Sequence, residues 1–277
     1  MAERGIDLLD GPVGTELLAR GVPTPLPLWS ASAIDGAPGV LGEIHAAYAA
    51  AGARIHTANT FRTQPGLMGA GFEGAARRAV AIARANIQAG ARLAGSLAPV
   101  EDCYHPERSP GLAARPSHEA LAQVLANAGC DLLLCETFPI ALEAWVAVEA
   151  CVATGVTTWV AFTAGPGGTL MTPDSMMAAA RGAIERGAAR VLVNCTPATV
   201  TLPFVQALAT LGSPVGAYAN AGHVDDAMGW RADDVPGATR YADLAAEWVA
   251  AGASVVGSCC GTGPAHSASN AEVDAAC

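Results

Sequence analysis

Basic residues are scarce in this chain: 15 Lys and Arg stand against 25 Asp and Glu, a formal net charge of −10. Proteins that bind nucleic acid carry clustered Lys and Arg to meet the phosphate backbone, so no nucleic-acid partner is expected. Long apolar runs are missing too. The Ala-rich stretch Ala46–Ala51 is interrupted by polar residues far short of the ~20 apolar residues that a membrane span needs. The opening residues, MAERGIDLLDGPVG, lack a basic stretch followed by an apolar core and a small-residue cleavage site. No secretory leader is therefore expected, and the reading is cytoplasmic. Charged residues make up only 14% of the chain against 52% hydrophobic, which excludes the composition of a disordered protein and supplies a large core.

Several metal and cofactor signatures are also absent. There is no CxxC spacing, no His pair at helical metal spacing, and no Gly-rich first turn of the kind that cradles phosphate in a doubly wound sheet. Eight cysteines without an export signal read as buried thiols or metal ligands rather than as a disulfide framework. The adjacent pair Cys259 and Cys260 cannot readily bridge to each other, so it needs another explanation.

What the chain does contain is a regular alternation. Short β-branched runs are expected as strands at Ile6–Asp10, Ala53–Ala58, Arg92–Leu97, Asp131–Glu136, Thr157–Thr163, Arg190–Asn194, Val215–Ala219 and Ser254–Ser258. Ala-rich stretches between them are expected as helices at Gly39–Ala51, Phe72–Gly90, Ser117–Ala128, Ile140–Thr154, Asp174–Arg186, Thr199–Leu211 and Tyr241–Ala251. Glycines stand where these helices should end in a left-handed residue: Gly52, Gly90, Gly129, Gly155, Gly187, Gly212 and Gly252. Eight βα units in 277 residues predict an α/β fold, a single (β/α)8 TIM barrel, with residues 1–277 as one catalytic domain. Three long connections, Pro12–Ala37, Ala98–Pro116 and Asn220–Ala238, are expected as irregular loops that build the binding surface. The tail after Cys260 is weakly patterned and predicts a short or frayed last helix.

In such a barrel, function sits at the C-terminal ends of the strands. Polar residues collect there: Asp10 with Gly11, Asn59 with Thr60, Ser96, Glu136 with Thr137, Thr163, Asn194 with Cys195, Asn220, and Cys259 with Cys260. Thiols at the ends of the sixth and eighth strands suit a soft tetrahedral ion with three protein ligands and one open position, for which Zn2+ is the natural occupant. The competing reading is that they are buried small hydrophobes, and from spacing alone the two stand about even. Glu136 reads as functional inside a barrel mouth, or else as the partner of a basic side chain. Asp10 reads as catalytic or as the shaper of a turn. Trp29 could hold a sulfonium over its ring or simply pack. His45, His56, His105, His118, His223 and His266 read as structural or surface residues, and Cys103, Cys130, Cys135, Cys151 and Cys277 as inert thiols.

The stretch SVVGSCCGTGPAH, Ser254–His266, resembles the terminal Gly-Gly-Cys-Cys-Gly zinc motif of the homocysteine S-methyltransferase family, and VLVNCTP, Val191–Pro197, resembles its Asn-Cys motif. Ordered likenesses run along the rest of the chain: DGPVGTELLARG from Asp10, HAAYAAAGARIHTANTFRT from His45, GSLAP from Gly95, CDLLLCETFP from Cys130 and AYANAG from Ala217. The resemblance implies a (β/α)8 barrel in which Cys195, Cys259 and Cys260 bind Zn2+ and homocysteine is methylated to methionine. It further implies that Glu136 binds the substrate amine, that Asp10 and Gly11 line the pocket, and that Asn220 supports it. Asn59, Thr60 and Ser96 join the substrate-binding set as matching strand ends. Ser258 departs from the family, standing where a second glycine is usual, and a side chain there would crowd the metal or tighten the pocket. AGHVDDAMGW, after Asn220, departs as well.

A methyl donor needs a good leaving group, and a sulfonium becomes a neutral thioether on transfer, so S-methylmethionine or S-adenosylmethionine is expected. The partners are thus a small-molecule thiol and a methyl donor, with a homo-oligomer left open. Two alternatives stand beside this. One is a methyltransferase for another thiol or selenol, such as selenohomocysteine; the other is a non-catalytic barrel serving a larger methyl-transfer system.

Overall fold

The structure, a computed structural model, describes residues 5–221 and 235–276. Eight strands are present: β1 Asp7–Leu8, β2 Ile55–Ala58, β3 Arg92–Leu97, β4 Leu132–Phe138, β5 Thr158–Phe162, β6 Arg190–Pro197, β7 Val215–Asn220 and β8 Ala253–Ser258. They pair in the order β1-β8-β7-β6-β5-β4-β3-β2, every ladder parallel. The Leu9–Ile55 bridge and the bonds Asp10 N to Ile55 O (2.9 Å) and Arg54 N to Leu8 O (2.9 Å) join the two ends of that order. The sheet is therefore a closed (β/α)8 barrel, its sequence-adjacent parallel strands linked by helical crossovers.

The seven expected helices form, as Pro38–Ala50, Phe72–Asn86, Arg115–Asn127, Ala141–Val152, Pro173–Glu185, Leu202–Ala209 and Val235–Ala250, each within a few residues of its predicted bounds except the last, which begins six residues before the expected Tyr241. All seven glycines proposed as their stops have positive φ, from 70° to 111°. Along β4, Leu132 and Leu134 point into the barrel while Leu133 and Cys135 meet the helices, so period-two alternation persists although both faces are apolar. Trp159, fully buried, stands inside the barrel beneath the Arg92 and Arg190 guanidinium groups, 5.2 and 4.7 Å from its ring centre. The interior is thus packed at that level and any cavity must lie above it.

Three expectations need correction. The Pro12–Ala37 connection is largely helical, with Val13–Ala19, a 3-10 turn Trp29–Ser32 and Ala33–Gly36; its prolines and glycines punctuate short helices rather than prevent them. The last helix is neither short nor frayed but spans Pro264–Ala276. Its buried residues are polar, Ser267 and Asn270 among them, which hid its packing face, and Asp274 ties it down by accepting from Ile6 N (2.5 Å) and pairing with Arg54. Strands β4 and β6 run beyond their predicted ends through register shifts between Cys135 and Phe138 and between Asn194 and Pro197. In the Asn220–Ala238 connection, residues 222–234, which include His223 and most of AGHVDDAMGW, lie outside the described residues, as does Cys277. Among the described residues no helix is long and apolar enough to cross a membrane.

Candidate active site and metal centre

The two irregular strand ends shape the site. A bulge re-aims the side chains around it, and here Thr137 and Cys195 are left with φ of +64° and +47°. Among the described residues the one other non-glycine with positive φ is Trp29 (+46°). All three line a single cavity of about 280 Å³ at the C-terminal mouth of the barrel. Left-handed backbone is costly for a β-branched threonine, and such strain collects where a fold holds groups for a purpose.

Cys195 from β6 and Cys259 and Cys260 from the end of β8 bring their sulfurs within 4.8 Å of one another. Cys195 Sγ and Cys259 Sγ are in contact, their Cα atoms 5.7 Å apart. Asn194 Nδ2 lies 3.7 Å from Cys195 Sγ and Thr137 Oγ1 3.9 Å from it, two donors aimed at one sulfur. Asn194 in turn donates to Thr137 Oγ1 (2.7 Å) and accepts from Thr137 N (3.2 Å), which locks both. Burial pushes the Cys260 thiol up to about 11, so at neutral pH it needs a cation nearby to ionise. Three soft donors on one wall of a cavity fit a borderline-soft divalent ion with room for an outside ligand.

Across the cavity stand two buried acids. Glu136 is 9% exposed; it accepts from the Ser96 hydroxyl on one oxygen and from the Tyr218 hydroxyl on the other (3.0 Å). Burial raises its pKa against the pull of those two donors. Asp10, 3% exposed, accepts from Thr57 N (2.9 Å), and its pKa is pushed up to about 8, chiefly by burial and further by the charge of Glu136. Two carboxyls that, among the described residues, have no cationic side-chain partner in hydrogen-bond contact make a corner that an incoming cation would relieve.

Gly11, Asn59 and Ser96 line this cavity with Asp10, Glu136 and the three cysteines. Thr60 does not: its hydroxyl is fully buried between the backbone groups of Ser96, donating to Ser96 O (2.9 Å) and accepting from Ser96 N (3.0 Å), so it stitches β2 to β3. Asn220, also buried, lies outside the cavity wall beside Tyr104. Glycine is needed at Gly11, where a Cβ would sit 2.6 Å from the Tyr48 ring, and at Gly257, where it would meet Leu9 Cβ at 2.8 Å. Ser258 itself is accommodated, 3% exposed with its hydroxyl unpartnered among the described residues.

Sequence reasoning missed Tyr218, Arg62 and the role of Thr137. Tyr218 could have been found from the inward alternation of β7. Arg62 lines the cavity, its Nε buried and without a hydrogen-bond partner among the described residues and its guanidinium 5.5 Å from the Phe61 ring centre. Trp29, Phe61 and Tyr104 complete an aromatic wall, with Trp29 edge-on to Phe61 at 5.9 Å. Cys103, read as inert, also faces the cavity.

Residues 7–273 match the homocysteine S-methyltransferase family. Homocysteine S-methyltransferase of Escherichia coli strain K12 is 29% identical, covering 95% of this chain and 93% of that one. The selenocysteine methyltransferase of Astragalus bisulcatus is also 29% identical, over 93% of this chain and 89% of its own length. Among solved structures, the E. coli homocysteine methyltransferase MmuM superposes with a TM-score of 0.80 in its oxidised form (28% identity, 96% of this chain and 95% of that chain). Its metallated form gives 0.78 (27% identity, 99% and 96%).

Proposed function

Because the chain belongs to the homocysteine S-methyltransferase family, we propose that it moves a methyl group from a sulfonium donor, S-methylmethionine or S-adenosylmethionine, to the thiol of homocysteine, giving methionine. Cys195, Cys259 and Cys260 would hold Zn2+ for this reaction. The observation that carries the reading is the convergence of three sulfurs and two buried acids on one small cavity.

When bound, Zn2+ supplies Lewis-acid activation that favours the acceptor's thiolate at neutral pH. Three anionic ligands leave electron density on the acceptor sulfur, and the Asn194 and Thr137 donors fix the Cys195 ligand in place. Glu136 pairs with the acceptor's ammonium group, while Arg62 offers a fork for its carboxylate. Trp29, Phe61 and Tyr104 present ring faces to the sulfonium. In the transfer, the donor's S–CH3 bond breaks with its electron pair returning to the donor sulfur. A new S–CH3 bond forms on the acceptor, and the thiol proton is released.

A second acceptor is favoured by one observation: the chain is as similar to a selenocysteine methyltransferase as to a homocysteine S-methyltransferase, 29% in each case. Purified, reduced enzyme assayed with homocysteine, selenohomocysteine and selenocysteine against both sulfonium donors decides between them. Highest kcat/KM with homocysteine is expected. Turnover of a selenol alone would transfer the assignment to the second reading, and no turnover with any pair would remove both.

A further inference from the structure

His45, on the Pro38–Ala50 helix, and His56, on β2, are both fully buried, and among the described residues none of their four ring nitrogens has a partner in hydrogen-bond geometry. The Ala53 carbonyl and the Gln88 side chain reach close enough to His56 to raise its pKa somewhat against burial, but neither meets a ring nitrogen in hydrogen-bond geometry, and the two bond to each other at 2.6 Å. Asp10 completes the group, with Oδ2 3.8 Å from His56 Nδ1. Ligand atoms of all three residues lie within 4.8 Å of one another, the same bound that describes the three sulfurs. Buried polar nitrogens left unpaired are rare because their desolvation goes uncompensated, so a cluster of four asks for something that satisfies it.

The geometry points to a second, nitrogen- and oxygen-lined metal site, in which Asp10, His45 and His56 bind a divalent first-row transition ion and clamp the seam where the barrel closes. Two imidazoles and one carboxylate are the donor set such ions accept, and side-chain rotations of roughly 1 Å would bring all three atoms to bonding distance. Imidazole ligates in its neutral form, and burial holds His45 at about 3 and His56 at about 4. Asp10 faces the cavity, which gives an ion a way in.

The position explains what the ion would do. Strand β1 is two residues long, and β1 and β2 meet through the single bridge Leu9–Ile55. Asp10 follows β1, His56 belongs to β2, and His45 lies on the helix that leads into β2. One ion would therefore fasten three elements at the thinnest ladder of the barrel. The site is separate from the thiols in donor chemistry and stands whether or not the methyl-transfer reading does.

Titration of the reduced, chelator-stripped full chain with Co2+ tests it. About two equivalents are expected, one with the near-ultraviolet thiolate-to-cobalt band and one without it, the bandless equivalent raising the Tm. His56→Leu and His45→Leu should each lose only the bandless equivalent. Should those variants not fold, the Cys259→Ser/Cys260→Ser double variant still decides, because it should lose the band and methyl transfer yet keep a bandless equivalent. Saturation of the wild type after about one equivalent, a bandless equivalent that survives both histidine variants, or none in the double variant would overturn the proposal.

Discussion

Two buried glutamates, Glu136 at the end of β4 and Glu143 in the helix that follows, behave in opposite ways. Glu143, 1% exposed, accepts from Val100 N (2.8 Å) and the Ser109 hydroxyl (2.5 Å) and meets His118 Nε2 at 3.3 Å. Burial pulls its pKa upward, but the bonds from His118, Ser109 and Val100 outweigh that and hold it below the ordinary value. Its oxygens are saturated, and what it does is anchor the Ala98–Pro116 loop to the helical layer. Among the described residues Glu136 has only two hydroxyl donors, its pKa is raised, and it faces a cavity. The same side chain is structural where donors satisfy it and available for a ligand where they do not.

That contrast can be broken most forcefully at Glu136. Glu136→Gln should lower kcat/KM for the amino-acid acceptor by roughly 30-fold or more while leaving the Tm unchanged or slightly higher, because in the proposed reaction it removes the charge that pairs with the acceptor's ammonium group. Steady-state kinetics and a melting curve on one preparation check both halves, and a matching fall in Tm would erase the distinction. Glu143→Gln should do the reverse. Breaking a saturated buried cluster should cost about 2–4 kcal/mol, a fall of roughly 5–10 °C in Tm for a domain of this size, with kcat/KM largely retained at low temperature.

The two regions should also respond oppositely to pH in ligand-free, metal-free protein. Asp10 carries a folded pKa raised from 3.8 to about 8, so the folded state holds the extra proton between those values and stability falls as pH rises through that window. Glu143 is lowered from 4.5, so its contribution is present above that value and is lost as pH falls through its folded pKa. Tm measured against pH should lose its decline toward pH 8 in Asp10→Asn and its acid-side loss in Glu143→Gln. The smallest effect is expected at Ser258→Ala, which deletes an unpartnered buried hydroxyl and should change stability by less than about 1 kcal/mol, neutral or favourable in sign. A larger loss in denaturant melts would mean that Ser258 holds a partner after all.

Much of this was legible in the chain. Strand patterning and the glycine stops expose the barrel because every βα unit repeats the same local chemistry, and strand-end polar residues follow from the architecture. The bulges at Thr137 and Cys195 were not legible, since a register shift leaves no compositional trace. Nor was the pairing of His45 with His56, because a helix residue and a strand residue meet only through the packing of one element on the other. Thr60 reads in the sequence like its neighbour Asn59, yet a hydroxyl that reaches the adjacent strand's backbone is consumed there. Arg62 was passed over because one arginine after an aromatic has no pattern of its own.

In the proposed reaction, sulfurs from β6 and the end of β8 hold one ion at which the acceptor thiol is activated. The most direct test of this is the zinc content and methyl transfer of reduced wild type beside Cys259→Ser. The variant should bind about one equivalent less zinc and lose transfer to homocysteine by ~1,000-fold or more, with its melting curve still cooperative. A Cys259→Ser protein that keeps its full zinc and full turnover would contradict it.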